Sequence, residues 1–208
     1  AVGYFEQPVR LYRNDSGTLT AAAVWSSVEV GSINSVAWGD ADGDGDLDLA
    51  VGNYGQNRLY RNDSGRLTTN AVWSSVEEDD TYSVSWGDVD GDGDLDLAVG
   101  NYGGGGQPNR LYRNDSGVLT TSAVWSSTET DATTSIAWGD VDGDGDLDLA
   151  VGNANPNRLY RNDGGVLIAT AIWSSVEVED TKSVAWGDVD GDGDLDLAVG
   201  NSMRPSWI

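Results

Sequence analysis

Histidine and cysteine are absent from this 208-residue chain, phenylalanine and methionine occur once each, and 11 basic residues stand against 35 acidic ones. Each shortage excludes something. Without imidazole or thiol there is no histidine acid–base pair, no thiolate nucleophile and no disulfide framework. Nitrogen- and sulfur-rich sites for zinc or copper go with them. A formal net charge of −24 is the wrong sign for nucleic-acid phosphates and for anionic membrane surfaces. No apolar run approaches the roughly 20 residues of a membrane-spanning helix. The chain opens in mid-motif without a visible secretory leader, so it is expected to be a mature or trimmed piece.

What the chain has instead is glycine, 28 residues of it, and aspartate in a fixed pattern. The stretch Asp40-Ala-Asp-Gly-Asp-Gly-Asp-Leu-Asp48 returns at Asp88–Asp96, Asp140–Asp148 and Asp188–Asp196. Each copy holds five carboxylates in nine residues, together 20 of the 35 acids. Neighbouring carboxylates repel by on the order of 1 kcal/mol per pair even in water, so the loop calls for a cation. Oxygens at loop positions 1, 3 and 5 converge if the backbone curls: Asp40, Asp42 and Asp44; Asp88, Asp90 and Asp92; Asp140, Asp142 and Asp144; Asp188, Asp190 and Asp192. Glycine at position 6 permits the turn. Position 7 (Asp46, Asp94, Asp146, Asp194) offers its backbone carbonyl, and position 9 (Asp48, Asp96, Asp148, Asp196) closes the cage. A flexible ring of hard oxygens favours Ca²⁺, one ion per loop and four in all. The competing reading is a solvated acidic turn; four copies in one register favour the metal. Four such ions would bring eight positive charges and leave about −16 of the −24.

The loop begins like an EF-hand, but position 12, where an EF-hand places a bidentate glutamate, is Val51, Val99, Val151 and Val199. The flanks alternate with period two. Leu47, Leu49 and Val51 fall on one face of a strand; Asp48, Ala50 and Gly52 fall on the other. The acidic loop therefore joins two strands of a hairpin.

Trp-Gly-Asp-x-Asp-Gly-Asp-Gly-Asp-Leu-Asp-Leu-Ala-Val-Gly-Asn, with Arg-Leu-Tyr-Arg-Asn-Asp downstream, resembles the FG-GAP/VCBS repeat, the blade unit of integrin-α-like β-propellers. The resemblance covers all but the last seven or so residues. It implies a calcium-holding hairpin in each repeat, the conclusion reached above from ligand spacing. Trp-Gly replaces the family's Phe-Gly at Trp38-Gly39, Trp86-Gly87, Trp138-Gly139 and Trp186-Gly187, which alters packing rather than the cage.

The tryptophans set the period. Trp38, Trp86, Trp138 and Trp186 are 48, 52 and 48 residues apart, as are Trp25, Trp73, Trp125 and Trp173. About 50 residues make one four-stranded propeller blade. In each unit strand A is Ser-Val-Ala-Trp-Gly, B is Leu-Asp-Leu-Ala-Val-Gly, C is Arg-Leu-Tyr-Arg and D is the run ending Trp-Ser-Ser, with Asn-Asp-Ser-Gly or Asn-Asp-Gly-Gly turning C into D. The expected fold is one all-β domain over residues 1–208: a β-propeller of four-stranded antiparallel blades, four to the chain. The chain starts with the tail of a B strand and a C–D pair and ends with an A–B pair. Those halves complete one blade within a chain, giving a four-bladed ring, or between two chains, giving an eight-bladed homodimer; a slice of a longer array is the third arrangement. The departures from consensus at Tyr4–Pro8 and Ser202–Ile208 are expected to cap the repeats.

In an up-and-down meander the A–B and C–D turns share one face. The copies differ most on the other, in the D–A segments (Val28–Asn34, Val76–Tyr82, Thr128–Thr134, Val176–Lys182) and the B–C segments (Tyr54–Asn57, Tyr102–Asn109, Ala154–Asn157). Partner recognition, of a protein or a glycan, is expected there, against the alternative of loop drift. The eight in-repeat tryptophans read as blade-to-blade packing in preference to sugar stacking. The arginine pairs beginning Arg10/Arg13 read as structural ion pairs, and the Asn-Asp-Ser triplets as turns rather than glycosylation sites. A cage filled with protein oxygens leaves no position for substrate, so no enzymatic activity is expected. Millimolar-range calcium sites belong to extracellular modules, so the expectation is a secreted or cell-surface binding or adhesion module. A lectin-like propeller and a recently amplified or designed scaffold are the alternatives.

Overall fold

The computed structural model describes residues 7–103 and 106–202. The tail of the first B strand, most of the Tyr4–Pro8 cap, two glycines of the B–C insertion, and the end of the chain with Trp207 lie outside the described residues. Among those described there are strands and turns but no helix.

The first half-blade pairs β1 (Gln7–Leu11) with β4 (Trp25–Gly31), carrying a small hairpin of β2 (Asn14–Asp15) and β3 (Thr18–Leu19). Three complete blades follow. Their strands are β5 (Ile33–Gly39), β6 (Asp48–Tyr60) and β7 (Trp73–Gly87); then β8 (Asp96–Asn101), β9 (Arg110–Tyr112) and β12 (Trp125–Ser126), with the hairpin β10 (Asn114–Asp115) and β11 (Val118–Leu119); then β13 (Thr133–Gly139), β14 (Asp148–Asn153), β15 (Arg158–Tyr160) and β16 (Trp173–Ser174). A final half-blade pairs β17 (Asp180–Gly187) with β18 (Asp196–Ser202). The chain thus carries the strands of four propeller blades. The two half-blades form separate two-stranded sheets.

The A and B strands pair in one register in every unit: Trp38↔Leu49, Trp86↔Leu97, Trp138↔Leu149 and Trp186↔Leu197. The first two complete blades merge into one six-stranded sheet, β12-β9-β8-β7-β6-β5. Strands β6 and β7 run unbroken through segments that the sequence marks as loops, because Tyr54, Gly55 and Gln56 pair with Asp80, Asp79 and Glu78. The short β-type B–C and D–A segments lie side by side there and satisfy each other's backbone groups.

The first three B strands are buried on both faces. Leu49 and Val51 pack toward the preceding blade with Tyr60 and Leu67, while Ala50 packs with Val84 and Trp86 of the following one. Glycine sets how closely blades approach. A Cβ on Gly39 would lie 2.6 Å from the Trp86 ring, and Gly87 and Gly139 receive Trp138 and Trp186 in the same way. Gly52, Gly100 and Gly152 receive a threonine together with a valine or isoleucine of the next blade's A strand. Further out, Trp25, Trp73 and Trp125 stand edge-on to Tyr60, Tyr112 and Tyr160 at 5.4, 5.2 and 5.4 Å. Six of the eight repeated tryptophans are therefore used in packing between blades.

The C–D turns are two-residue hairpin loops with φ positive at both positions, the geometry whose twist suits a hairpin. Ser16, Ser64 and Ser116 sit at φ 52°, 55° and 53°, each followed by a glycine; the last repeat has Gly164 at 61° instead. A serine side chain is strained there, while asparagine tolerates the left-handed region. Ser64→Asn is expected to raise stability by about 0.5 kcal/mol, roughly 1–2 °C by thermal melting. A lower melting temperature would show that the serine is not strained.

Candidate metal centre

Each acidic loop folds back on itself through its own amides. Gly43 and Gly45 take φ of 73° and 94°, with closely matching values in the other copies, so the backbone curls and brings position 1 across the ring. Asp40 Oδ2 accepts the Gly45 N–H at 2.9 Å, and Asp88, Asp140 and Asp188 accept from Gly93, Gly145 and Gly193 at 3.0, 3.0 and 3.1 Å. The curl gathers carboxylate oxygens to within 4.8 Å of one another in all four repeats: Asp40, Asp42 and Asp48; Asp88, Asp90 and Asp92; Asp140, Asp142 and Asp148; Asp188, Asp190 and Asp196. Positions 1 and 3 are common to the four clusters. Position 9 joins them in three, and position 5 in the second.

Position 9 is the anchor. Asp48 is fully buried; its Oδ2 accepts the Ala41 N–H at 2.9 Å and its Oδ1 the Asn62 N–H at 2.7 Å. Asp96 and Asp148 repeat both bonds with Val89 and Asn114, and with Val141 and Asn162. One carboxylate thus ties the start of the A–B loop to the C–D turn. Burial pushes the Asp48, Asp96 and Asp148 carboxyls up, Asp96 to about 6, against the pull of those amides.

The position-7 side chain has a use that spacing alone does not reveal. Asp46, Asp94 and Asp146 accept the amides of Ser64, Ser116 and Gly164 at 2.6, 2.7 and 2.7 Å. Their carboxylates thus pin the strained C–D turn, and the backbone carbonyl remains for a cation. These bonds also place A–B and C–D turns on one face of the blades. On the other face the B–C segments meet the D–A segments: Tyr54, Tyr102 and Ala154 donate to Ser32, Asp80 and Ala132 at 2.9, 2.8 and 2.9 Å.

Charge balance in the loops is partial. Arg113 reaches Asp90 at 2.5 Å, while Arg61 and Arg161 stand 3.7 and 3.9 Å from Asp42 and Asp142. In the first three loops one guanidinium facing position 3 leaves the other carboxylates uncompensated. Asp40 Oδ1 and Asp90 Oδ1 are buried without a hydrogen-bond partner, a costly state for a charged oxygen. Buried orphan oxygens within an all-oxygen cluster fit a hard divalent cation. Elsewhere the arginines form ion pairs: Arg110 with Asp79, Arg158 with Asp131 at 2.8 Å, and Arg13 with Asp15 at 2.8 Å.

A glutamate clasp between blades went unnoticed in the sequence. Glu29 accepts the Tyr60 hydroxyl at 3.2 Å and the Ala71 N–H at 2.9 Å; Glu77 and Glu129 hold Tyr112 with Ala123 and Tyr160 with Ala171. These glutamates lie inside the D–A segments that look variable. The signal was a glutamate constant among changing neighbours, at Glu29, Glu77, Glu129 and Glu177.

Four matches to the model of the FG-GAP-like repeat run over residues 1–51, 41–99, 89–151 and 140–199. The chain belongs to the FG-GAP-like repeat family. Each match ends on the B strand of one A–B hairpin, and each after the first begins at or beside the acidic loop of the hairpin before, so the family's unit spans from one acidic loop to the next. In three of the four repeats the tryptophan that stands in the Trp-Gly pair, Trp86, Trp138 or Trp186, is the residue seated on the preceding blade's glycine. Among curated proteins nothing matches. A solved structure described as BBS1N in complex with ARL6DN, soaked with lead, is similar over 85% of this chain at 15% identity and a TM-score of 0.49. The FG-GAP-like chain spans 56% of that one.

Proposed function

We propose that this FG-GAP-like chain is a calcium-binding, calcium-stabilised extracellular β-propeller that serves as a protein-binding or adhesion module. The observation that carries the reading is the fourfold cluster of carboxylates with buried, unpartnered oxygens at Asp40 and Asp90. Positions 1, 3, 5 and 9 of each loop would hold the ion with the position-7 carbonyl. When bound, Ca²⁺ supplies positive charge to a ring of acids and no reaction chemistry. The protein's own part is to hold that ring open at one end of each blade.

The opposite face would meet the partner. There a cleft of about 300 Å³ is lined by Val30, Gly31, Ser32, Asn53, Tyr54, Gln56 and Arg58. A glycan is the alternative ligand, favoured by the stacked pair Tyr82 and Tyr102, whose rings are 4.5 Å apart beside this face. Calorimetric titration tests the metal reading. Ca²⁺ should bind at about four equivalents per chain with dissociation constants of roughly 10⁻⁴–10⁻³ M, and Mg²⁺ more weakly, since it demands tighter octahedral geometry. Absence of heat at millimolar Ca²⁺ would reject it.

A further inference from the structure

We propose that the cleft of about 300 Å³ between β4 and β6 binds a hydroxy-carboxylate, with Arg58 taking the carboxylate and Asn53 a hydroxyl. The inference rests on the reading that this face meets the ligand, and it narrows the glycan alternative to acids.

The other repeats fill the same place from within. Asp79 and Asp131 pair with Arg110 and Arg158 of the following blade, and Glu179 stands at that position in the last repeat. Two residues on, Thr81, Thr133 and Thr181 donate their hydroxyls to Oδ1 of Asn101, Asn153 and Asn201, each at 2.8 Å. In the first D–A segment the same two positions are Gly31 and Ile33. One carboxylate and one hydroxyl are lost together.

The groups that would receive them are kept. Asn53 is 2% exposed, and its Nδ2 donates to the Gln56 carbonyl at 2.9 Å. That bond turns Oδ1 toward Gly31, where it has no hydrogen-bond partner. A buried acceptor left without a donor is costly. Arg58 is half-buried and donates to the Val30 carbonyl at 3.2 Å. Among the described residues no carboxylate lies within ion-pair reach of it. It also lacks the bond to a D-strand serine that Arg110 makes with Ser126 and Arg158 with Ser174, at 3.1 and 2.7 Å. A Cβ on Gly31 would stand 2.7 Å from Asn53 Oδ1 and 3.5 Å from the Arg58 guanidinium. Both groups therefore converge on the space that the absent side chain leaves.

This pair of groups selects the ligand. A guanidinium holds a carboxylate in a two-pronged, charge-assisted contact. An ionised carboxylate accepts but cannot donate, so an aspartate or glutamate side chain from a partner would leave the Asn53 oxygen orphaned. A hydroxyl close to the carboxylate satisfies both. A chain of net charge −24 also repels an acidic peptide more than a single small acid. Tyr54, on the rim and 59% exposed, offers an aromatic face to a sugar ring. A free hydroxy acid and a uronate residue of a polysaccharide share this chemistry.

Calorimetry on the chain in millimolar Ca²⁺ tests the site with D-galacturonate, glycolate, neutral D-galactose and an acidic peptide. Both acids should bind at one equivalent, and galactose at least about tenfold more weakly. Galacturonate binding about tenfold tighter than glycolate assigns the polysaccharide source; equal affinities assign the free acid. Arg58→Gln should weaken acid binding at least about tenfold. Gly31→Asp/Ile33→Thr should abolish it while melting no lower than the unaltered protein, because it restores the set of groups found in the other repeats. No heat with either acid, galactose binding as well as galacturonate, the acidic peptide binding in place of both acids, or unchanged acid binding in both variants would each overturn the proposal. The metal titration reads the calcium sites separately, so a silent cleft in a chain that takes up four equivalents of Ca²⁺ rejects the acid site alone.

Discussion

Chelating divalent cations with EDTA is expected to lower the melting temperature by roughly 10–40 °C relative to the same protein in about 10 mM Ca²⁺. The size follows from linkage. A site with a dissociation constant of about 10⁻⁴–10⁻³ M contributes about 1.4–2.7 kcal/mol at that concentration, since a ligand that binds only the folded state stabilises by RT ln(1 + [L]/Kd). Four sites then contribute about 6–11 kcal/mol, against a whole folding free energy of about 5–15 kcal/mol. The chelated protein should therefore be marginal at room temperature. Differential scanning calorimetry reads the shift directly. A change of less than about 3 °C would mean that the arginines and loop amides already neutralise the acidic ring, and that the metal is incidental to folding.

The second large effect concerns the contact between blades. Trp86→Ala removes an aromatic side chain seated between two blades and should cost about 3–5 kcal/mol. Gly39→Ala places a methyl 2.6 Å from that ring and should cost about 1–3 kcal/mol, because both sides of the contact are built into paired strands and cannot draw back. Combined, the two should be strongly non-additive. With the tryptophan gone the alanine meets open space, so its own cost should fall close to zero. Urea unfolding of the four proteins of this cycle measures the coupling. Additive losses would show that Gly39 and Trp86 do not act as one contact, and the account of blade spacing would fail with them.

Much of this architecture was legible from spacing. The 48, 52 and 48-residue separations of the tryptophans fix the repeat, and period-two alternation around Leu49 and Val51 marks a strand leaving the acidic loop. Glycine at positions 4 and 6 reports a backbone that must turn, and the structure finds positive φ at both. The shared face of the A–B and C–D turns follows from meander connectivity alone. What stayed hidden are contacts between one repeat and the next. Nothing in Trp-Gly says that Gly39 belongs under Trp86 rather than beside Trp38, since the chain order gives neighbours along a strand and the packing joins strands of different blades. Glu29 looked like loop variation because its partners, Tyr60 and Ala71, lie more than thirty residues away. Loop spacing assigns Asp46 only a backbone carbonyl for the cation; that its carboxylate holds the turn at Ser64 is a contact across repeats' turns that spacing does not show. The continuous strands through Tyr54–Gln56 and Glu78–Asp80 were read as loops because nothing local distinguishes a polar loop from two polar segments that pair with each other.

The account turns on divalent cations occupying the acidic hairpin tips. A crystal structure of the protein grown in millimolar Ca²⁺ tests this most directly. Each tip should show a peak with six to eight oxygen ligands at about 2.3–2.6 Å, drawn from the aspartates at positions 1, 3, 5 and 9 and the position-7 carbonyl. Well-ordered tips holding only water, in crystals soaked with ample calcium, would contradict it.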